Sequence, residues 1–350
     1  MNQEFNRLVD EILEFHWKNN PIEATYLGIH QYDDQLDRTD PGSRRQYFKK
    51  LKEYLSKIDK FSSGKSKLSQ DEQMDWKMLQ NALKVEITEE NKIHWYERLP
   101  QTYPEGALLG CYIMLLRDFA PLERRMKCVL GRLKQVPRFI NEGKKNLTKG
   151  RNIPRIWVQI ALEITLSGKE FFKQMIPRFA EKVPRLKKEI LTANQKALIA
   201  FDGYEKFLKN QILPRAKGQF GIGMEHFEFL LSVHHQLPYT TDDLLSIGSR
   251  IVQQTQAEMK EVARKINPRK IWVDIVDDLK KKHPSKTNLV GFYEKEMTRA
   301  RDFVKKKDLV TIPKGETLAM IETPIFKRNI IPYAAYMAPA PFEKKQEGFF

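Results

Sequence analysis

The sequence predicts a mainly α fold, a multi-helix scaffold with a small β element near the C-terminus. Two observations carry this. From Phe5 to about Lys307 apolar residues recur every three to four positions, and prolines stand where the runs begin or end. Beyond Lys307 the pattern changes to short β-branched runs punctuated by proline: Leu309-Val-Thr-Ile-Pro313, Leu318-Ala-Met-Ile-Glu-Thr-Pro324, Ala338-Pro-Ala-Pro-Phe342 and Gly348-Phe-Phe350.

Phe5, Leu8, Val9, Ile12, Leu13 and His16 fall on one helix face, and Asn19-Asn20-Pro21 stops that helix. Pro21 to Gly28 reads as a short helix with proline in its first turn and glycine past its end. Asp40-Pro-Gly-Ser43 is a turn and cap for a helix reaching about Asp59, and Phe61 to Lys67 reads as a polar loop. Ser69-Gln-Asp-Glu72 is a capping box that opens a stripe of Met74, Met78, Leu79, Ala82 and Leu83. Asn91 to Pro104 is aromatic and less regular. Helices are then expected over about 105–119, 121–137, 138–147, 154–175 and 183–213.

The glycine cluster Gly218-Gln-Phe-Gly-Ile-Gly223 is the best boundary. It divides an N-terminal helical region, 1–217, from a region of helices and short strands, 218–350. Past it, helices are expected over 224–237, from the capping box Thr240-Thr-Asp-Asp243 to Lys265, from Pro268 to about Lys282, and over 288–307.

With 350 residues and 41% hydrophobic content, the chain can bury a sizeable core. No apolar run approaches the ~18 residues of a membrane span, and Met1 to Asn6 has no signal-peptide character, so a cytoplasmic protein without a membrane partner is expected. Cys111 and Cys128 are too few for a disulfide framework or a zinc knuckle and read as free thiols. The formal charge of +16 invites a nucleic-acid partner. However, the lysines and arginines are spread along the chain beside Glu and Asp at helical spacing, without a basic block interleaved with aromatics, so nucleic acid is not the expected partner.

No constellation of residues identifies a catalytic centre. Among seven histidines no His-Glu-x-x-His occurs. His226 and Glu228 have the His-x-Glu form of zinc deaminases, but the accompanying Pro-Cys-x-x-Cys is missing. His234 and His235 are adjacent and diverge by about 100° on a helix, so they cannot chelate as an i, i+4 pair would. Gly221-Ile-Gly223 lacks both the preceding strand and the following Gly-Lys-Ser/Thr of a phosphate loop. Glu294, Thr298 and Arg301 make one polar helix stripe, read as structural. No catalytic or metal-ligating residue is assigned.

Several segments, taken in order, resemble one family. They are Asn20-Pro-Ile-Glu-Ala-Thr-Tyr-Leu-Gly28; Arg117-Asp-Phe-Ala-Pro121 with Arg132-Leu133 and Pro137; Ile222-Gly-Met-Glu-His-Phe227; Tyr239-Thr-Thr-Asp-Asp-Leu-Leu-Ser-Ile-Gly248; His283-Pro284; Ala300-Arg-Asp-Phe303; Leu309 to Pro313; Glu322-Thr-Pro324; and Pro332-Tyr-Ala-Ala-Tyr336. Together they resemble the DUF885 family, whose members look like zinc metallopeptidases of the gluzincin type. The resemblance implies that Pro341-Phe342 and Gly348-x-Phe350 lead into a strand, a loop and a helix bearing His-Glu-x-x-Pro-Gly-His. That motif would supply zinc ligands and a catalytic glutamate, and none of it lies in this chain. The expectation is therefore the N-terminal part of a DUF885-type zinc-dependent peptidase that breaks off before its chemistry. It would hold no zinc and be inactive alone, and it would act on peptides only when completed by a C-terminal half. A non-catalytic helical binding or scaffold protein with a basic surface is the alternative. Strands without neighbours and the Phe349-Phe350 pair would favour self-association, such as a homodimer.

Overall fold

A computed structural model describes residues 2–63, 68–328, 330–331 and 333–350. The chain is mainly helical, with one two-stranded parallel sheet near its C-terminus. It forms two compact units. The first comprises Met1–Gly221, Gly315–Ala319 and Thr323–Phe350; the second comprises Ile222–Lys314 and Met320–Glu322.

The first unit begins with α1 (Gln3–Asn19), α2 (Pro21–Leu27), α3 (Pro41–Asp59) and α4 (Gln70–Lys92). Asn2 caps α1 by accepting from Glu4 N and Phe5 N, and Asp40 caps α3 by accepting from Gly42 N and Ser43 N. The Ser69–Glu72 capping box forms as expected. Phe5, Leu8 and Ile12 of α1 meet Leu51, Tyr54 and Ile58 of α3 and Leu83 and Ile87 of α4, which makes a small core of its own. Within the expected polar loop, Gly64 to Lys67 lie outside the described residues.

The larger core is built by α5 (Trp95–Arg98), α6 (Thr102–Leu116), α7 (Leu122–Lys149), α8 (Arg155–Glu170), α9 (Ile176–Ala180) and α10 (Pro184–Phe207). Helix α6 is apolar nearly all round, and Tyr103, Leu108, Cys111, Ile113 and Met114 are fully buried, so neighbours must cover it on every side. Helix α7 packs on it closely: a Cβ on Gly143 would come within 2.4 Å of the Tyr103 ring. The Cys111 thiol, sealed in this core, is pushed up to about 12 by burial. Cys128 is half-buried, and both cysteines are free.

The structure differs from the sequence expectations in several places. Helix α7 runs unbroken through Pro137, where two helices were expected. A proline inside a helix costs about 3 kcal/mol, but Leu133, Val136, Phe139 and Ile140 on either side of it are all buried, and that packing keeps the helix going. The runs expected to end at Met175 and Leu213 pass through π-helical turns, Phe171–Met175 and Leu208–Ile212, and continue, the first into α9 and the second into a 3-10 turn, Leu213–Arg215. The carbonyl of Phe172 in the first of these accepts from Asn194 Nδ2 on α10 at 2.8 Å.

The strands are fewer than the β-branched runs suggested. Strand β1 (Thr317–Ala319) pairs in parallel with β2 (Glu347–Phe349), Leu318 opposite Gly348, and Met337 bridges Phe349 on the other side of β2. Leu309–Pro313 forms no strand among the described residues, and Ile325–Lys327 is a 3-10 turn whose Phe326 is buried between Tyr112 and Phe171. Pro332 lies outside the described residues.

The second unit contains α11 (Met224–Phe229), a π turn (Leu230–His234), α12 (Thr241–Ile266), α13 (Trp272–Lys280) and α14 (Leu289–Lys307). The Thr240–Asp243 capping box opens α12. Helix α13 starts later than Pro268, because Asn267 Oδ1 accepts from Arg269 N in a local turn. Only His226, Leu231, Ala263 and Ile275 of this unit are buried.

Candidate functional site

The densest set of buried polar groups in the first unit is organised around residues 16–40. Helix α2 is short because Pro21 starts it and Gly28, at φ +94°, ends it in the left-handed region. The loop that follows is clamped to α7 by residues at helical spacing. Gln135 Nε2 donates to Asp34 O, Arg138 Nη2 to the carbonyls of Leu36 and Asp37, and Asn146 Nδ2 to Thr39 O, while Glu142 Oε2 accepts from Thr39 N. Gly131 lets the loop lie close, since a Cβ there would come within 2.8 Å of Asp34 O.

On one side of α2 lies a hydrogen-bonded chain. Glu23 Oε2 is 3.0 Å from His16 Nε2, His16 Nδ1 is 3.1 Å from the Tyr47 hydroxyl, and that hydroxyl donates to Glu86 Oε1 at 2.8 Å. Burial disfavours the charged imidazole of His16, but the hydrogen bond to Glu23 and the nearby carboxylates outweigh it and raise its pKa. Burial raises Glu86, while its bond from Tyr47 opposes that. Glu23 is more than half exposed, so the chain links solvent to a desolvated carboxylate and can pass a proton between them.

On the other side lies a buried clasp. Arg132, fully buried, donates to the carbonyls of Gly110 and Pro21 and to Thr25 Oγ1, whose own hydroxyl donates to Asp33 Oδ1 at 2.7 Å. Asp33 Oδ2 is 3.0 Å from His30 Nδ1. His30 Nε2 lies 3.6 Å from Glu343 Oε1, and Arg117 Nη1 lies 3.5 Å from the same oxygen. Arg117 also donates to Tyr26 O at 2.6 Å and to Ala338 O at 3.4 Å. Asp37 stands between the two sets. Burial pushes its carboxyl up to about 6, against a hydrogen bond from Ile22 N and the charge of Arg132.

The histidine and glycine features weighed from sequence do not join either set. His226 is buried and stacks on Phe229, whereas Glu228 is exposed and accepts from Thr241 Oγ1. The rings of His234 and His235 meet edge to face on the surface. Gly223 adopts φ +86° ahead of α11 with open space around it, which is the geometry of a turn. Glu294 and Thr298 help line a shallow hollow on α14, and Thr298 Oγ1 donates to the Glu294 carbonyl, not to its carboxylate.

Sequence reasoning missed His16, His30, Asp37, Tyr47, Glu86 and Glu343. The available signal was indirect: Gly28 and Arg117 lie in segments singled out by resemblance, and both touch Glu343 or its neighbours. Among the described residues no group of three or more His, Cys, Asp and Glu is placed to hold a metal ion.

No match was found among curated proteins. The sequence profile of a family described as bacterial protein of unknown function, DUF885, matches residues 21–350. The match spans both units and ends with the β2 strand that the clasp secures, and the chain belongs to the DUF885 family.

Proposed function

We propose that this chain is the helical scaffold of a zinc-dependent peptidase, and that the zinc ligands and catalytic glutamate are not among residues 1–350. One observation supports this reading above others. Three segments that resemble the peptidase-like pattern, 20–28, 117–121 and 341–350, are far apart in sequence yet converge on one clasp: Gly28 abuts Glu343, and Arg117 bonds Tyr26 and faces Glu343. They fix the position of β2, as a scaffold must for a strand that leads toward a reaction centre. Peptide is the expected substrate class. The test is direct. Purified as these 350 residues, the protein should bind no stoichiometric zinc and show no chelator-sensitive peptide hydrolysis; both together would sink the proposal.

One observation favours a second reading, a non-catalytic scaffold that associates with a second copy of itself. Helices α12 and α14 carry apolar faces that the second unit leaves open, with Leu245 69% and Ile266 62% exposed. Helix α12 also begins on Asp242 and Asp243 and ends on Arg264 and Lys265, so an antiparallel copy meets opposite charge at both ends. Light scattering after size exclusion decides it: a dimer at micromolar concentration supports this reading, and a monomer removes it.

A further inference from the structure

The segment Ala338–Phe350 is held to the helices of the first unit by a small number of specific contacts. Phe342 N donates to Leu27 O at 3.0 Å, and the rings of Trp17 and Phe342 meet edge to face at 5.6 Å. Gly28 permits the approach, because a Cβ there would come within 2.9 Å of Glu343 N. The ionic contact is Glu343, whose side chain is 7% exposed.

His30 stands between two carboxylates that come from different parts of the chain. Nδ1 faces Asp33 in its own loop, Nε2 faces Glu343 in the C-terminal segment, and the Phe119 ring lies parallel to the imidazole at 3.7 Å. The other charged groups around this pair are Arg117, which shares Glu343 Oε1, and Arg132, which meets Asp33 through Thr25. A neutral imidazole has one N–H and one lone pair, so it can serve Asp33 or Glu343 but not both; the imidazolium hydrogen-bonds Asp33 at 3.0 Å and attracts Glu343 as an ion pair at 3.6 Å. The other carboxylate would then face a lone pair from a buried position, which is costly.

We propose that His30 is a proton-operated latch: as imidazolium it ties Glu343, and with it Ala338–Phe350 and strand β2, to the helical unit, and on losing its proton it loosens them together. Arg117 Nη1, 3.5 Å from the same Glu343 oxygen, keeps a partial hold, so the segment loosens without being lost from the fold. This latch does not depend on the peptidase reading.

The direction of the pH dependence follows. Burial disfavours the charged form of His30, but the contacts to Asp33 and Glu343 outweigh it and raise its pKa to about 9 from an ordinary 6.5. A raised value means that the latch contributes fully below about 6.5 and loses its contribution as pH rises through about 9.

Pulsed hydrogen exchange with mass spectrometry on the full chain, from pH 6 to 10, tests this. Amides of Thr317–Ala319 and Met337–Phe349 should lose protection about tenfold or more with a midpoint near 9, while α7 amides stay protected. His30→Gln should remove the step and leave the segment open at every pH, and Glu343→Gln, placed on the segment itself, reports the same if the first variant folds poorly. Gly28→Ala should loosen the segment sterically yet keep the step. Wild-type protection that is flat to pH 10 with α7 intact, or a wild-type step surviving in both His30→Gln and Glu343→Gln, overturns the latch.

Discussion

The two units are written in the same amphipathic language and reach opposite outcomes. In the first, α6, α7, α8 and α10 cover one another, and side chains such as Phe172, Phe201 and Tyr204 are fully buried. In the second, α12 runs for 26 residues and buries only Ala263, and α14 runs for 19 and buries none. Apolar periodicity therefore announces a helix without saying what covers it. Helices that bury so little gain little from tertiary packing, the main source of helix stability in proteins.

The largest expected contrast is a cavity. Phe201→Ala should cost about 3–5 kcal/mol, read as a fall in the denaturation midpoint. Phe303→Ala, on the exposed face of α14, should stay within about 0.5 kcal/mol. Equal losses would mean that α14 is covered in solution, and a dependence of the second loss on protein concentration would identify association.

Glycine makes the contrast change sign. Gly143→Ala drives a methyl into the Tyr103 ring and should destabilise by about 1–3 kcal/mol. Gly248→Ala, in α12 with open space around it, should stabilise that helix by about 0.5–1 kcal/mol, seen as slower amide exchange along α12. A loss of stability at Gly248 would show that something packs against it in solution.

The smallest contrast is at the capping boxes. Ser69→Ala and Thr240→Ala each remove about 1 kcal/mol. The first should lower the denaturation midpoint of the α1–α3–α4 core, whereas the second should fray only the start of α12 in hydrogen exchange. If Thr240→Ala lowers a global midpoint equally, the second unit is more cooperative than its burial implies.

Local chemistry explains what could be read from the sequence. Ser69 with Glu72, Thr240 with Asp243, and Pro21 with Gly28 mark helix ends by hydrogen bonds and φ values set within a few residues, and all three form. Pro137 misled because the burial that keeps α7 continuous comes from helices distant in sequence. The π turns were not read because the residues of Phe171–Met175 and Leu208–Ile212 are of ordinary helical type, with neither Pro nor Gly to mark a change of turn. Leu309 to Pro313 has strand composition but no paired neighbour among the described residues, and strands exist only as pairs. The clasp was least legible of all: His30, Arg117 and Glu343 are brought together by tertiary packing, and no spacing rule connects them.

Cys111 gives the molecule a built-in chemical clock. A thiol reacts as its thiolate, and burial both withholds that form and bars reagents from reaching the sulfur. Alkylation of Cys111 therefore requires the α6–α7 core to open, and its rate counts those openings, while half-buried Cys128 on α7 is the faster partner within the same chain. The second unit contains no cysteine, so this clock runs on the first unit alone and separates its breathing from any motion elsewhere.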